Sequence, residues 1–554
     1  MLRVKKGECT YGLKNESNFS RRDFLKKTAI AGAGVAAFAA GCAPKTVSEG
    51  STTGKAPEWS KEADIIVVGS GTVAVAALVA AKEGAKVIVV EKSPAFGGTT
   101  AASGGMFWVP NNYVMAEQGI EDSREGAITY LKRITDGQSN DELIEAYVDA
   151  APKMTEYLRD QFGWTFGLGA SRSFQDYYTG EGSVPYGRSI LMTVDGQTVP
   201  GSGLYQAFRA ALEEMGVEFL FDTAGKELVT DDTGKVIGLL AESAGAQIAI
   251  KANKGVILGT GGFDHNREWT KHFLRGPIHF SNAVITNTGD GHKMGMKLGA
   301  SLRNMNESWG LPGFVLDAEK LRGEVDWQMY RGKPNAIVVN KYGERIGNES
   351  SPYEQFQRSF WYYDSGLMEY RNTPSFWIAD ATYAQYYFFP GSNYQMGVVP
   401  EWMTVADTLE ELCDKLGIAY DGLQKTLEVF NPNALEGVDP FWHRGEYPFD
   451  IDTAGDHTGR TDLKNACLAP IETGPFYGAA YYPGTCGTNG GLEINKHGQV
   501  INLDGAPIEG LYAVGNTSGS VMGAAYPGGG GTLGAGFAFS YLAVLHALAE
   551  TPAA

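Results

Sequence analysis

Cysteine is scarce in this chain, five in 554 residues, and two of the five, Cys9 and Cys42, fall in the N-terminal segment. Cys413, Cys467 and Cys486 are left for the main body, with no CxxC or CxxCH anywhere, so covalent haem of the c type is excluded. Three cysteines also fall short of a four-cysteine iron–sulfur cluster. A disulfide stays open, with no pair singled out. The eight histidines are scattered without metal-ligand spacing, and no metal site is expected. Basic charge is short: 46 Lys and Arg stand against 64 Asp and Glu, a formal net charge of −18. Such a chain has little with which to neutralise phosphates, so no nucleic-acid partner is expected. Arginine is missing altogether after Arg460. Charge runs, low-complexity blocks and internal repeats are missing from the main body. No stretch after Cys42 reads as long and apolar enough to cross a bilayer.

The N-terminus reads as an address. Ser20-Arg21-Arg22-Asp23-Phe24-Leu25-Lys26 matches a twin-arginine export signal, followed by the small and apolar residues Thr28 to Ala40. Residues 1–41 are expected to be that signal. Ala39-Ala40-Gly41-Cys42 resembles a lipoprotein processing site, which makes Cys42 the lipidated residue and residues 42–60 its polar linker. The expectation is an envelope protein outside the cytoplasm, held to a membrane surface by lipid. With neither haem nor cluster in the chain, electrons must pass to or from a separate partner, a quinone or a cytochrome.

The main body is long enough for two or more domains. The glycines of the chain, 73 in all, mark the chemistry. Ile65-Ile66-Val67-Val68 is the apolar run of a buried parallel strand, and Gly69-Ser70-Gly71 turns it into an alanine-rich helix. Gly69 allows the tight turn, Gly71 the approach of a pyrophosphate, and Ala74 takes the third fingerprint position. A second strand, Val87 to Val90, ends at Glu91, at the right reach for the ribose hydroxyls of an adenosine, with Lys92 beside it. Three downstream segments suit an extended dinucleotide, FAD. They are the small and hydroxylic run Gly98, Thr99, Thr100, Ser103, Gly104 and Gly105; a further strand ending in Thr260-Gly261-Gly262; and a last strand, Leu511 to Val514, running into Gly515-Asn516. Tyr526 then precedes the glycines 528–531, and a small-residue helix opens with Gly531-Thr532-Leu533. Such a helix would point its positive end at the part of the flavin where negative charge gathers on reduction.

These segments, in this order from Lys61 onward, resemble the flavoprotein superfamily of soluble fumarate reductases and 3-ketosteroid dehydrogenases. The stretch Ile337 to Glu349 is common to both branches, but the fumarate branch has its proton-donating arginine where this chain has Tyr353. That branch also carries a His-Pro-Thr triplet where this chain reads Asn306 to Pro312, and a late arginine that this chain lacks. The ketosteroid branch fits each departure, down to its Tyr-x-Gly-x-Gly at Tyr526, Gly528 and Gly530.

The resemblance implies an FAD-dependent oxidoreductase acting on a CH–CH or C=C bond beside a ketone, most of all in a 3-ketosteroid or similar apolar enone. Export favours the reductive direction. Tyr526 and the Gly530 N–H would form an oxyanion hole, Tyr353 would exchange the α proton, and Tyr130 would assist it from a lid. The fold implied is α/β, a Rossmann-like FAD-binding domain of the GR2 flavoprotein type, residues 61–312 and 488–554, split by an α+β cap, residues 313–487. Two other readings stay open. A fumarate reductase-like enzyme for an unsaturated carboxylate would need Arg331, Arg345 or Arg358. A non-catalytic electron-transfer flavoprotein would need none of the tyrosines.

Overall fold

The computed structural model describes residues 57–169 and 175–550. The export-signal and lipidation assignments, Cys42 included, lie outside the described residues.

The largest sheet has eight strands. At its centre is β1 (Lys61–Val68), followed by α1 (Ala74–Lys82) and β2 (Val87–Val90). Further along come β3 (Phe107–Trp108), packed outside this sheet, α2 (Arg124–Thr135) and β4 (Ser189–Val194), the antiparallel partner of β3. The central sheet resumes with β5 (Glu218–Leu220), the antiparallel meander β6 (Thr223–Thr230) and β7 (Val236–Ser243), and the long β8 (Ala246–Leu258). β1 pairs in parallel with both β2 and β8. A strand flanked and covered on both faces has no solvent side, which is why Ile65 to Val68 are apolar without alternation.

A second, four-stranded sheet comprises β9 (Ala336–Asn340), β10 (Ser375–Ala379), β11 (Thr404–Ala406) and β12 (Phe476–Tyr481), in the order β9-β10-β12-β11 and antiparallel throughout. Its residues alternate between two cores: Ala336 and Val338 pack with Trp377 and Tyr481, whereas Ile337 and Val339 pack with Phe376, Leu412 and Leu423. The short helix α3 (Tyr353–Arg358) follows β9, and its Tyr353 joins the core of the first sheet instead.

The chain then returns to the first sheet. β13 (Gln499–Ile501) pairs with β14 (Pro507–Ala513), and β14 pairs in parallel with β8. The final helix α4 (Gly531–Ala549) corrects one expectation. By length and composition it is apolar enough to cross a membrane. It is instead a core helix, with Phe537, Ala538, Phe539, Ala543 and Val544 all buried. It crosses close to the start of α1, where the Ser540 hydroxyl donates to the Thr72 carbonyl and a side chain at Gly536 would strike Thr72.

Candidate active site

The C-terminal ends of β1, β2, β8 and β14 open into one cavity of about 920 Å³. Ligands of open α/β sheets bind at this edge. At one end the wall is mostly backbone. Gly69 has φ +98°, and a Cβ there would lie 2.2 Å from the Gly259 carbonyl oxygen. Gly261, at φ +75°, leaves no room for a side chain against Asn287. Glu91 is buried at the end of β2, where the Ser70 hydroxyl donates to one of its oxygens at 2.6 Å and the Ser93 N–H to the other at 2.7 Å. Burial raises its carboxyl pKa, and the Ser70 bond opposes that rise. Lys92 reaches Asp290 at 2.6 Å and Thr288 at 2.9 Å.

Gly98, Thr99, Thr100, Ser103, Gly104, Gly105, Thr260, Gly515, Asn516, Thr532 and Leu533 all line this cavity. Three of the expected residues stand behind it. Ala74 is buried in the first turn of α1, its N–H donating to the Gly71 carbonyl. Gly262 packs against Thr488, and the Gly531 N–H donates to the Gly528 carbonyl.

At the other end the wall is made of side chains. Tyr177, Tyr353 and Tyr526 form a triangle with ring centroids 5.5–5.8 Å apart. The Tyr177 hydroxyl donates to that of Tyr353 at 3.4 Å. Trp309 packs edge-on against Tyr526 at 5.1 Å and anchors its own Nε1–H on the Asn516 side-chain oxygen. Trp327 covers Tyr353 at 4.9 Å. Burial pushes all three phenols above the ordinary tyrosine range, so each hydroxyl keeps its proton. Gly530, at φ +88°, faces the same space. Cys486 lines the cavity too, its thiol pushed up to about 12 by burial.

Tyr130 is not part of this triangle. It is fully buried, off the cavity, and its hydroxyl donates to the Pro527 carbonyl at 2.5 Å. Tyr177 stands in the triangle instead, and its backbone N–H donates to the same carbonyl. The Tyr177-Tyr178 doublet is visible in the sequence, but its pairing with Tyr353, 176 residues away, is a product of the fold. Among the described residues Cys413, Cys467 and Cys486 are free thiols.

The three arginines that a carboxylate substrate would need are engaged elsewhere. Arg331 is buried against Asp326 and the Ser351 carbonyl, Arg345 bridges Glu349 and Asp439, and Arg358 pairs with Glu354 at 2.7 Å. The cavity thus joins a glycine-walled trough ending in a buried acid to a chamber of neutral hydroxyls. That combination fits an extended dinucleotide whose reactive ring reaches the tyrosines. The FAD binding domain family matches residues 64–533.

The chain belongs to this family. Within it the protein falls in the 3-ketosteroid dehydrogenase branch of the flavoprotein superfamily, as an FAD-dependent oxidoreductase acting on carbon–carbon bonds. The 3-oxosteroid 1-dehydrogenase of Mycolicibacterium smegmatis is 34% identical over 583 residues, covering 89% of this chain and 98% of that protein. The 4-oxocyclohexanecarboxylate 2-dehydrogenase of Sinomonas cyclohexanicum is 31% identical over 87% of this chain and 92% of its own length. Among solved structures, 3-ketosteroid delta1-dehydrogenase from Sterolibacterium denitrificans, in complex with 1,4-androstadiene-3,17-dione, superposes with a TM-score of 0.80 at 30% identity, covering 89% of this chain and all of that one. The expected α/β flavoprotein fold and the FAD cofactor both stand. The residues present fit FAD: the Gly69 turn has space only for backbone, and the Glu91 carboxylate can accept from ribose hydroxyls.

Proposed function

We propose that this protein reduces the C=C bond of a cyclic enone, with 3-ketosteroids as the favoured substrate class. The observation that carries the reading is the Tyr177–Tyr353–Tyr526 triangle beside Gly530, in a cavity whose described lining residues include no arginine. An apolar ketone needs hydrogen-bond donors at one oxygen and no guanidinium clamp. The two relatives named above are both called dehydrogenases of ring ketones, which supports a cyclic substrate.

Each residue takes a role from its position. The Tyr526 hydroxyl and the Gly530 N–H donate to the ketone oxygen and stabilise the negative charge it acquires. Tyr353 delivers the proton to the α carbon, and the Tyr177 hydroxyl supports the oxygen that gives it up. Bound FAD supplies the two-electron exchange at the β carbon. Burial keeps the Tyr353 phenol protonated, the form in which a proton donor must start. Glu91, Lys92, Gly98 to Gly105, Thr260, Gly261, Gly515, Asn516, Thr532 and Leu533 would hold the cofactor. Two electrons and two protons convert the enone to its saturated ketone, and a quinol or reduced cytochrome would supply the electrons. The twin-arginine motif and Cys42 support action outside the cytoplasm, on a lipid anchor.

Flavin reoxidation tests the reading. The purified FAD-loaded protein is reduced anaerobically with viologen and mixed with a 3-keto-4-ene steroid, a 3-keto-1,4-diene steroid or fumarate. Reoxidation by a steroid and not by fumarate is expected, and the responding steroid identifies the bond. Reoxidation by fumarate alone would overturn the reading. The location is tested by fractionation: the protein should sediment with membranes, and Cys42→Ser should release it.

A further inference from the structure

The loop Pro527 to Gly530 carries four consecutive carbonyls, and all are accounted for. Pro527 accepts from the Tyr130 hydroxyl and the Tyr177 N–H. Gly528 accepts from the Gly531 N–H, and Gly530 from the N–H groups of Trp108 and Gly534. The Gly529 carbonyl accepts from a side chain, the Ser189 hydroxyl at 2.7 Å. Ser189 opens β4, is buried, and stands behind the loop, opposite Trp108 of β3. Gly529 and Gly530 line the cavity in front.

The Gly529–Gly530 peptide is trans. In a planar trans peptide the carbonyl oxygen and the following N–H point in opposite directions. Holding the Gly529 oxygen back toward β4 therefore turns the Gly530 N–H forward into the cavity. Glycine at both positions gives this peptide unit little conformational preference of its own. Something outside the loop must fix its plane.

We infer that Ser189 is a positioning residue for the reaction: its hydroxyl sets the direction of the Gly530 N–H that receives the substrate's ketone oxygen. The inference rests on the enone reading above. Without the hydroxyl the Gly529 carbonyl is a buried acceptor lacking its partner, and rotating the peptide is its route to another donor. The same rotation withdraws one of two oxyanion donors.

The test uses the full-length, FAD-loaded enzyme as wild type, Ser189→Ala and Ser189→Thr, with crystal structures and flavin reoxidation by a 3-keto-4-ene steroid. In Ser189→Ala the 529–530 peptide should rotate. The maximal rate should fall about 100-fold, the scale of losing one oxyanion donor, while KM stays within about threefold. Ser189→Thr keeps the hydroxyl and should recover both peptide orientation and rate. An unrotated peptide in Ser189→Ala overturns the inference whatever the substrate proves to be. So does a rotated peptide with an unchanged rate, or a loss shared equally between rate and KM. A wild-type enzyme that no cyclic enone reoxidises is a failure of the functional reading instead, and the crystal structures still decide the role of Ser189.

Discussion

The two ends of the cavity are built by different means. The trough is walled by backbone, from segments whose decisive residues sit within a few positions of one another: Gly69 to Gly71, Glu91 to Gly105, Thr260 to Gly261. The chamber is walled by side chains from three remote places, Tyr177, Tyr353 and Tyr526, brought together only by the fold. A backbone wall fails when atoms are added to it. A side-chain wall fails when atoms are removed. Substitutions in the two regions should therefore break different properties, cofactor retention in one and turnover in the other.

The largest effects belong to the chamber. Tyr353→Phe should lower the reoxidation rate by about 10²–10⁴-fold, the range for a general acid, and Tyr526→Phe by about 10²–10³-fold. Both should keep a full complement of FAD, read from the ratio of flavin to protein absorbance. Loss of FAD from either would erase the contrast. Gly69→Ala should do the opposite. A Cβ 2.2 Å from the Gly259 oxygen, at a φ of +98°, closes the trough, and the protein should purify with little FAD.

Tyr177 and Tyr130 sharpen the comparison further. Tyr177→Phe removes the hydroxyl that supports Tyr353 and should slow turnover by about tenfold with little change in stability. Tyr130→Phe leaves the buried Pro527 carbonyl with the Tyr177 N–H as its donor, and loss of the second bond should cost about 0.5–1.5 kcal/mol in thermal or chemical unfolding. The smallest effect concerns pH. Because burial raises the Tyr353 phenol above its ordinary value near 10, its protonated form persists beyond that pH. The reductive rate should stay level from about pH 6 to 10, and a break well below 9 would mean that another group donates the proton.

The same division decided what the sequence could reveal. The trough was legible almost residue by residue, because strand, glycine turn, helix and terminal acid succeed one another locally and each has a backbone reason. Gly262 and Gly531 stand one layer behind the cavity, since a motif fixes where a residue stands in the chain and not which way it faces, whereas Ala74 holds the close-packing position that its place in the fingerprint gives it. In the chamber, Tyr526, Gly530 and Tyr353 were legible through the family resemblance, and all three line the cavity. Tyr130 was not, because a tyrosine at apolar spacing on a helix looks the same whether it meets a substrate or a carbonyl. Tyr177 and Ser189 act through partners 176 and 340 residues away, and no local pattern records that. The apolar character of α4 was likewise ambiguous: composition alone does not distinguish a helix buried in lipid from one buried in protein.

The cavity's closing wall, β14 with the loop and helix after it, leaves the ribosome more than four hundred residues behind β1. At roughly 5–20 residues per second, that separation is on the order of 20–90 s of synthesis. Throughout that interval the apolar β1–α1 unit has no α4 to cover it, and a flavin can touch the growing chain from one side only. Cofactor capture is therefore an event of chain completion, and a nascent chain arrested before Pro507 should carry no tightly held FAD.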